Sequence, residues 1–340
     1  MKKIILILLA FFTSTITFSQ EKVNYQSVID TLLNKTEDNY IFPDVAEHVK
    51  QQLLGLKKNT FSELSKKQFA DTITFFLEKY SKDKHFVLLY RPNFLKKTES
   101  KKVQQQKFNE INKRWNFGFE SVQRLPGNIG YIHYSGFAEP TSSKATLAAA
   151  MNFVANTNSL IIDLRDNRGG DIGMVELFSS YFFSNKETLS KTYYRFENKT
   201  VVNKTKVKVS GKKYLGKPIY ILTNKNSFSG AEALSYHLKN RGIATIIGEK
   251  TAGASNPVEM FVINNEFLLF VPVGNMHDPI TGKNWEHIGV EPTYYISSDK
   301  ALEKAQIVAL NHILKQKLNT ELLSEEIEKR ITDLTKKIQQ

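Results

Sequence analysis

Leu160-Ile-Ile-Asp-Leu-Arg-Asp-Asn-Arg-Gly-Gly170 begins as an unbroken apolar strand and ends in a polar turn closed by two glycines. A strand that is apolar on both faces belongs inside a sheet covered on both sides. The pattern recurs along the chain. The turn Leu125-Pro-Gly-Asn-Ile-Gly130 feeds a strand at 131–134, and 219–223 reads as another buried strand. Further strands are expected at 243–247, 259–263 and 267–271, with helices near 142–155, 172–182 and 231–241. Strands alternating with helices argue for α/β layers around a mainly parallel sheet.

Upstream the period changes. Val28, Ile29, Leu32 and Leu33, and then Phe61, Leu64, Ile73, Phe76, Leu77 and Tyr80, recur at helical spacing. Residues 86–90 form a short apolar strand that Arg91-Pro92 ends. Residues 93–115 are polar and rich in Lys and Gln, which suggests a linker or exposed excursion, too short for an inserted peptide-binding domain. The first twenty residues have a lysine pair, an apolar run from Ile4 to Phe12, and small residues at Thr17 and Ser19. These are the three parts of a secretory signal cleaved after Ser19. The expected organisation is a signal peptide at 1–19, an N-terminal helical domain at 20–92, a linker at 93–118, an α/β core at 119–315 and a C-terminal helical tail at 316–340.

Composition narrows the chemistry. The 340 residues carry a formal charge of +13 and contain no cysteine. Thiol nucleophiles, disulfides, iron–sulfur clusters and Cys-type zinc sites are therefore excluded. Removal of the signal would take Lys2 and Lys3 and leave +11. The lysines lie in short clusters, the longest at 199–217, without interleaved aromatics or a nucleic-acid fold signature, so they read as solvated surface and no nucleic acid is expected. No HExxH or clustered His/carboxylate spacing appears, so neither a metal nor a cofactor is expected. No later segment is long and apolar enough to span a bilayer, so the mature chain is expected without a membrane span, periplasmic or secreted.

Two strand-ending turns could carry chemistry. Gly169-Gly170 lets the backbone turn its amides toward a bound group, although such a pair at a strand end is more often just a turn. In Thr223-Asn-Lys-Asn-Ser-Phe-Ser-Gly-Ala-Glu232, Ser229 would sit at a helix start, where free amides favour developing negative charge. Ser227 or Ser229 could equally be only a helix cap. A serine nucleophile needs a base. The seven histidines are His48, His85, His133, His237, His277, His287 and His312, and spacing alone does not choose among them.

Taken in order, the segments at 125–132, 160–170 and 227–232, with Gly248-Glu-Lys-Thr-Ala-Gly253 and Trp285-Glu-His-Ile-Gly-Val-Glu-Pro292, resemble the tail-specific (C-terminal processing) serine peptidase family. The helical start and missing insert look most like its retinoid-binding-protein-like and tricorn-like branch. The resemblance implies a crotonase-like (ClpP-like) α/β core behind a small helical domain. It also implies acyl-enzyme hydrolysis of peptides or unfolded chains, with Ser229 as nucleophile and the Gly230 amide and the Gly169–Gly170 turn as oxyanion hole. The processing branch places its base lysine where this chain has Ala254; Lys250 is only the motif's leading lysine. The tricorn-like branch uses a histidine and a late carboxylate, positions held here by His85 and Glu286, and Lys84 stands where tricorn has a serine. The alternative is a non-catalytic binder of an apolar or peptide ligand on the same fold; acyl-thioester chemistry conflicts with the export signal.

Overall fold

The computed structural model describes residues 25–56, 60–94, 98–315 and 321–339. The expected signal peptide lies outside them. The chain opens with three helices, α1 (Gln26–Asn39), α2 (Pro43–Leu54) and α3 (Lys66–Ser81), then strand β1 (Val87–Tyr90). Pro43 starts α2, where a missing N–H costs nothing, and Lys82 ends α3 in a left-handed turn at φ 63°.

Residues 101–114, expected as part of a linker, form helix α4 (Lys101–Arg114). Ser100 caps it and its side chains are not buried, so it lacks the apolar stripe by which a packed helix is recognised. Next come β2 (Phe119–Leu125), β3 (Ile129–Tyr134), α5 (Pro140–Val154), β4 (Ser159–Asp163) and α6 (Ile172–Ser179). A hairpin, β5 (Thr188–Tyr194) and β6 (Lys199–Lys204), precedes β7 (Ile219–Thr223), α7 (Gly230–Asn240) and β8 (Ala244–Gly248). The chain continues through β9 (Val258–Val262), β10 (Phe267–Pro272), β11 (Gly274–His277) and β12 (Tyr294–Tyr295) to α8 (Ala301–Lys315) and α9 (Glu321–Gln339).

The central sheet has six strands in the order β12-β8-β7-β4-β3-β2, all parallel except the β2–β3 hairpin. Its strands alternate between two cores. Ile132, Leu160, Ile162, Ile219, Ile221 and Ile246 pack with side chains of α5, α6 and α7. Tyr131, Ile161, Tyr220, Leu222 and Ile247 pack with Ala305, Ala309 and Leu310 of α8 and with Ile327 and Leu334 of α9. The molecule is thus a mixed α/β fold with helices on both sheet faces, and no described helix is long and apolar enough to cross a membrane.

The first helices do not close a core alone. Leu32, Val49, Phe69, Ile73 and Leu77 share one cluster with Phe86 and Leu88 and with Ile263, Phe267, Leu269 and Val271. Strand β10 pairs antiparallel with β1, Val87 opposite Phe270. The expected boundaries assign β9 and β10 to the α/β core, but these strands complete the hydrophobic cluster of the helical unit. Period alone shows that a strand exists, not which sheet takes it.

Candidate active site

The loops leaving β4, β7 and β8 meet at the carboxyl end of the parallel strands, where open α/β sheets place their sites. The first two are laced together. Asn224 and Asp166 exchange hydrogen bonds at 3.0 Å each, and the Phe228 N–H donates to Asn167 O at 2.9 Å. The Ser227 hydroxyl is fully buried and donates to Leu164 O at 2.7 Å. Of the two serines, Ser227 therefore secures the loop.

Ser229, half-buried, stands immediately before α7 with φ 52° and ψ −112°. That region is rare for a side chain larger than glycine's and costs on the order of 1–3 kcal/mol, held by surrounding structure. The holder is Glu232, one turn along the helix and wholly buried. Its Oε2 accepts the N–H groups of Ser229 (2.9 Å) and Ala254 (3.0 Å), and its Oε1 accepts the Thr251 hydroxyl and the Gly253 N–H, both at 2.6 Å. Burial pushes its carboxyl up to about 7 against the pull of these four donors. Sequence reading did not single out Glu232. The available signal was its spacing, three residues after a helix-starting serine, as in a capping box.

Gly169 and Gly170 lie against this corner. A Cβ on Gly169 would fall 2.6 Å from Gly230 N and 2.8 Å from Ser229 Cβ, and one on Gly230 would fall 3.2 Å from Gly170 N. Only glycines allow that approach. The Gly169 N–H donates to Asn167 Oδ1 at 2.7 Å, whereas the N–H groups of Gly170 and Gly230 have no acceptor among the described residues. The sequence-predicted set of Ser229, Gly230, Gly169 and Gly170 is thus brought together, with the Gly169 amide already engaged.

His85 comes from the other unit. Its ring lies 4.6 Å from that of Phe228, the neighbour of Ser229, and both ring nitrogens are buried without a hydrogen-bond partner. Burial pushes the imidazole down to about 3. Glu286 is held by the backbone at 255–256. Its Oε2 accepts the N–H groups of Ser255 and Asn256, and its Oε1, also without a hydrogen-bond partner, lies 3.7 Å from His287 Nδ1. Beside His85 is a carboxylate that sequence reading passed over, Asp83. It accepts the His85 N–H on Oδ1 and the Asn256 side-chain amide on Oδ2, both at 2.9 Å. Burial, then the Glu286 carboxylate, raises it to about 7.

The remaining candidates are engaged in other contacts. Lys250 pairs with Glu291 on the surface, and Ala254 is wholly buried, its carbonyl accepting the Trp285 indole N–H at 2.8 Å. Lys84 donates to Ala252 O at 2.6 Å. His237 is fixed in a buried group with Asp278 and Arg241. The arrangement offers a strained serine, two unclaimed amides beside it and a neutral buried imidazole, which are the parts of nucleophilic acyl transfer.

Comparison with known proteins agrees. The sequence profile of peptidase family S41 matches residues 128–296. The carboxy-terminal processing protease CtpB of Bacillus subtilis is 25% identical over 205 residues, 60% of this chain and 41% of its own length. The chain thus spans under half of that relative. A lipoprotein from Streptococcus agalactiae has a similar fold, with a TM-score of 0.56 and 18% identity over 84% of this chain and 95% of that one. So has the tricorn protease, with a TM-score of 0.51 and 14% identity over 91% of this chain and 36% of that one. By its matched profile and its relatives, the chain carries a peptidase family S41 region over residues 128–296.

Proposed function

We propose that the protein is an exported serine peptidase that hydrolyses peptide bonds through an acyl-enzyme on Ser229. The observation that carries this reading is the pair of acceptor-free amides, Gly170 and Gly230, held beside a serine with strained backbone. Ser229 Oγ attacks the scissile carbonyl carbon while its proton passes to His85 Nε2. The carbonyl oxygen takes the negative charge and two N–H donors. Collapse of the adduct breaks the C–N bond, and the proton returns from His85 to the departing amine. Water, deprotonated by the same imidazole, then releases the acyl group.

Glu286 supports the site at one remove by holding the 255–256 backbone. The crotonase-like core, the branch related to tricorn and a peptide or unfolded-chain substrate follow from the same reading. CtpB is named for carboxy-terminal processing, which favours chain ends as substrate. Residues 1–19 supply the export signal and hence a periplasmic or secreted location.

A second reading, a non-catalytic binder, is favoured by one observation: neither ring nitrogen of His85 accepts a hydrogen bond from Ser229. One experiment separates them. A fluorophosphonate probe should label the purified protein, and Ser229→Ala should abolish labelling. Equal labelling of both forms rejects the peptidase, and saturable ligand binding that survives Ser229→Ala without turnover supports the binder.

A further inference from the structure

A serine–histidine pair needs a carboxylate to fix the imidazole's tautomer and to offset the charge it acquires in the transition state. Two buried carboxylates are candidates for this role, Asp83 and Glu286, and their contacts distinguish them. Glu286 Oε2 is taken by the Ser255 and Asn256 amides, its Oε1 has no hydrogen-bond partner and lies 3.7 Å from His287 Nδ1, and it makes no ion-pair contact with His85. Asp83 Oδ1 lies 3.8 Å from His85 Nδ1.

Asp83 is also fixed from several sides. Its own N–H donates to the Ser81 hydroxyl at 3.0 Å, Oδ1 takes the His85 N–H, Oδ2 takes Asn256 Nδ2, and the Tyr40 hydroxyl faces it. Its side chain is 1% exposed. The Asn256 contact ties the turn at 81–85 to the loop that Glu232 binds at Gly253 and Ala254. The carboxylate is therefore anchored to the nucleophile's side of the site as well as to the base's.

We infer that Asp83, rather than Glu286, is the positioning carboxylate of His85, so that Ser229, His85 and Asp83 act as a triad. The inference rests on the peptidase reading above. Asp83 draws the proton of His85 onto Nδ1 and leaves Nε2 to receive the Ser229 proton. When the ring becomes positive, Asp83 is the anion beside it; it keeps its own charge and no proton passes to it. Closing 3.8 Å to hydrogen-bond distance needs a shift of under about 1 Å, within what catalytic pairs undergo on substrate binding.

The test is the rate of fluorophosphonate labelling, separated into probe affinity and covalent rate constant. Asp83→Asn should lower the rate constant by about 10³-fold or more, as loss of the tautomer-fixing anion does elsewhere, with probe affinity little changed. Glu286→Gln should lose at least tenfold less. Rate constants for Asp83→Asn within about threefold of wild type, or an equal loss in Glu286→Gln, overturn the assignment. A second measurement needs no variant. In the phosphonylated wild type, ¹⁵N-labelled His85 should show a strongly deshielded Nδ1-bound proton, and an ordinary solvent-exchanging one overturns it. Absence of labelling in the wild type overturns the peptidase reading and this assignment together, whereas labelling that ignores Asp83 overturns the assignment alone.

Discussion

The two sides of the site are built differently. On the nucleophile's side, the loops after β4 and β7 are laced by hydrogen bonds, and Glu232 alone binds four donors from two segments. On the base's side, both nitrogens of His85, the Ser255 hydroxyl and Glu286 Oε1 are buried without partners. Buried polar atoms are normally satisfied, so orphans gathered in one place mark where function outweighs stability. One side is set before substrate arrives; the other holds unmade bonds that substrate binding can complete.

The largest effect that could break this contrast is loss of the nucleophile. Ser229→Ala should reduce peptide hydrolysis by about 10⁴-fold or more and abolish probe labelling. Its melting temperature should stay within a few degrees of wild type, because the lacing does not use the hydroxyl. The fixed side should behave oppositely. Gly169→Ala puts a methyl 2.6 Å from Gly230 N at φ 85°, so a stability loss of about 2–4 kcal/mol is expected in denaturant melts, with labelling falling in parallel.

Acid and base distinguish the sides next. His85 is held at about 3 against an ordinary 6.5, so the unfolded chain takes up its proton first. Its contribution is whole above pH 6.5 and is lost as the pH falls toward 3. Glu232, raised from 4.5 to about 7, has the opposite sign: its contribution is whole below pH 4.5 and is lost as the pH rises through 7, and Asp83 shares that sign. Melts across the acid range should show His85→Asn flattening the low-pH loss and Glu232→Gln flattening the loss toward neutrality. Each change should be on the order of 1–3 kcal/mol.

The smallest effect concerns Lys84, which is exposed and donates to Ala252 O. Lys84→Ala should change stability by under about 0.5 kcal/mol and labelling by under about threefold. A loss comparable to that of Ser229→Ala would make the lysine, not the histidine, the base.

Much of the site was legible because its backbone demands particular residues. Paired glycines after an apolar strand, and Ser-Gly before a helix, announce turns with close approach. The buried strands at 160–164 and 219–223 were legible for the same local reason, since both faces are apolar. Asp83 and Glu232 were not, because a carboxylate's burial is decided by segments far away: Asn256 for one, Thr251 and Gly253 for the other. The β5–β6 hairpin escaped notice because its second strand, Lys-Thr-Val-Val-Asn-Lys204, lies in the lysine-rich stretch read as solvated surface. Helix α4 escaped because it buries nothing.

The pairing of β1 with β10 has a consequence for timing. Its partners are roughly 180 residues apart in sequence, and such distant pairings are slow to form because a long loop must close first. During synthesis the His85 turn leaves the ribosome early, but its supporting strand follows only after the serine, the glycine turn and Glu232 have all been made. The His85 turn is therefore the last part of the candidate site to be seated. On the proposed mechanism, a chain still being made would carry Ser229 without its seated base, so the order of folding itself would delay proteolysis.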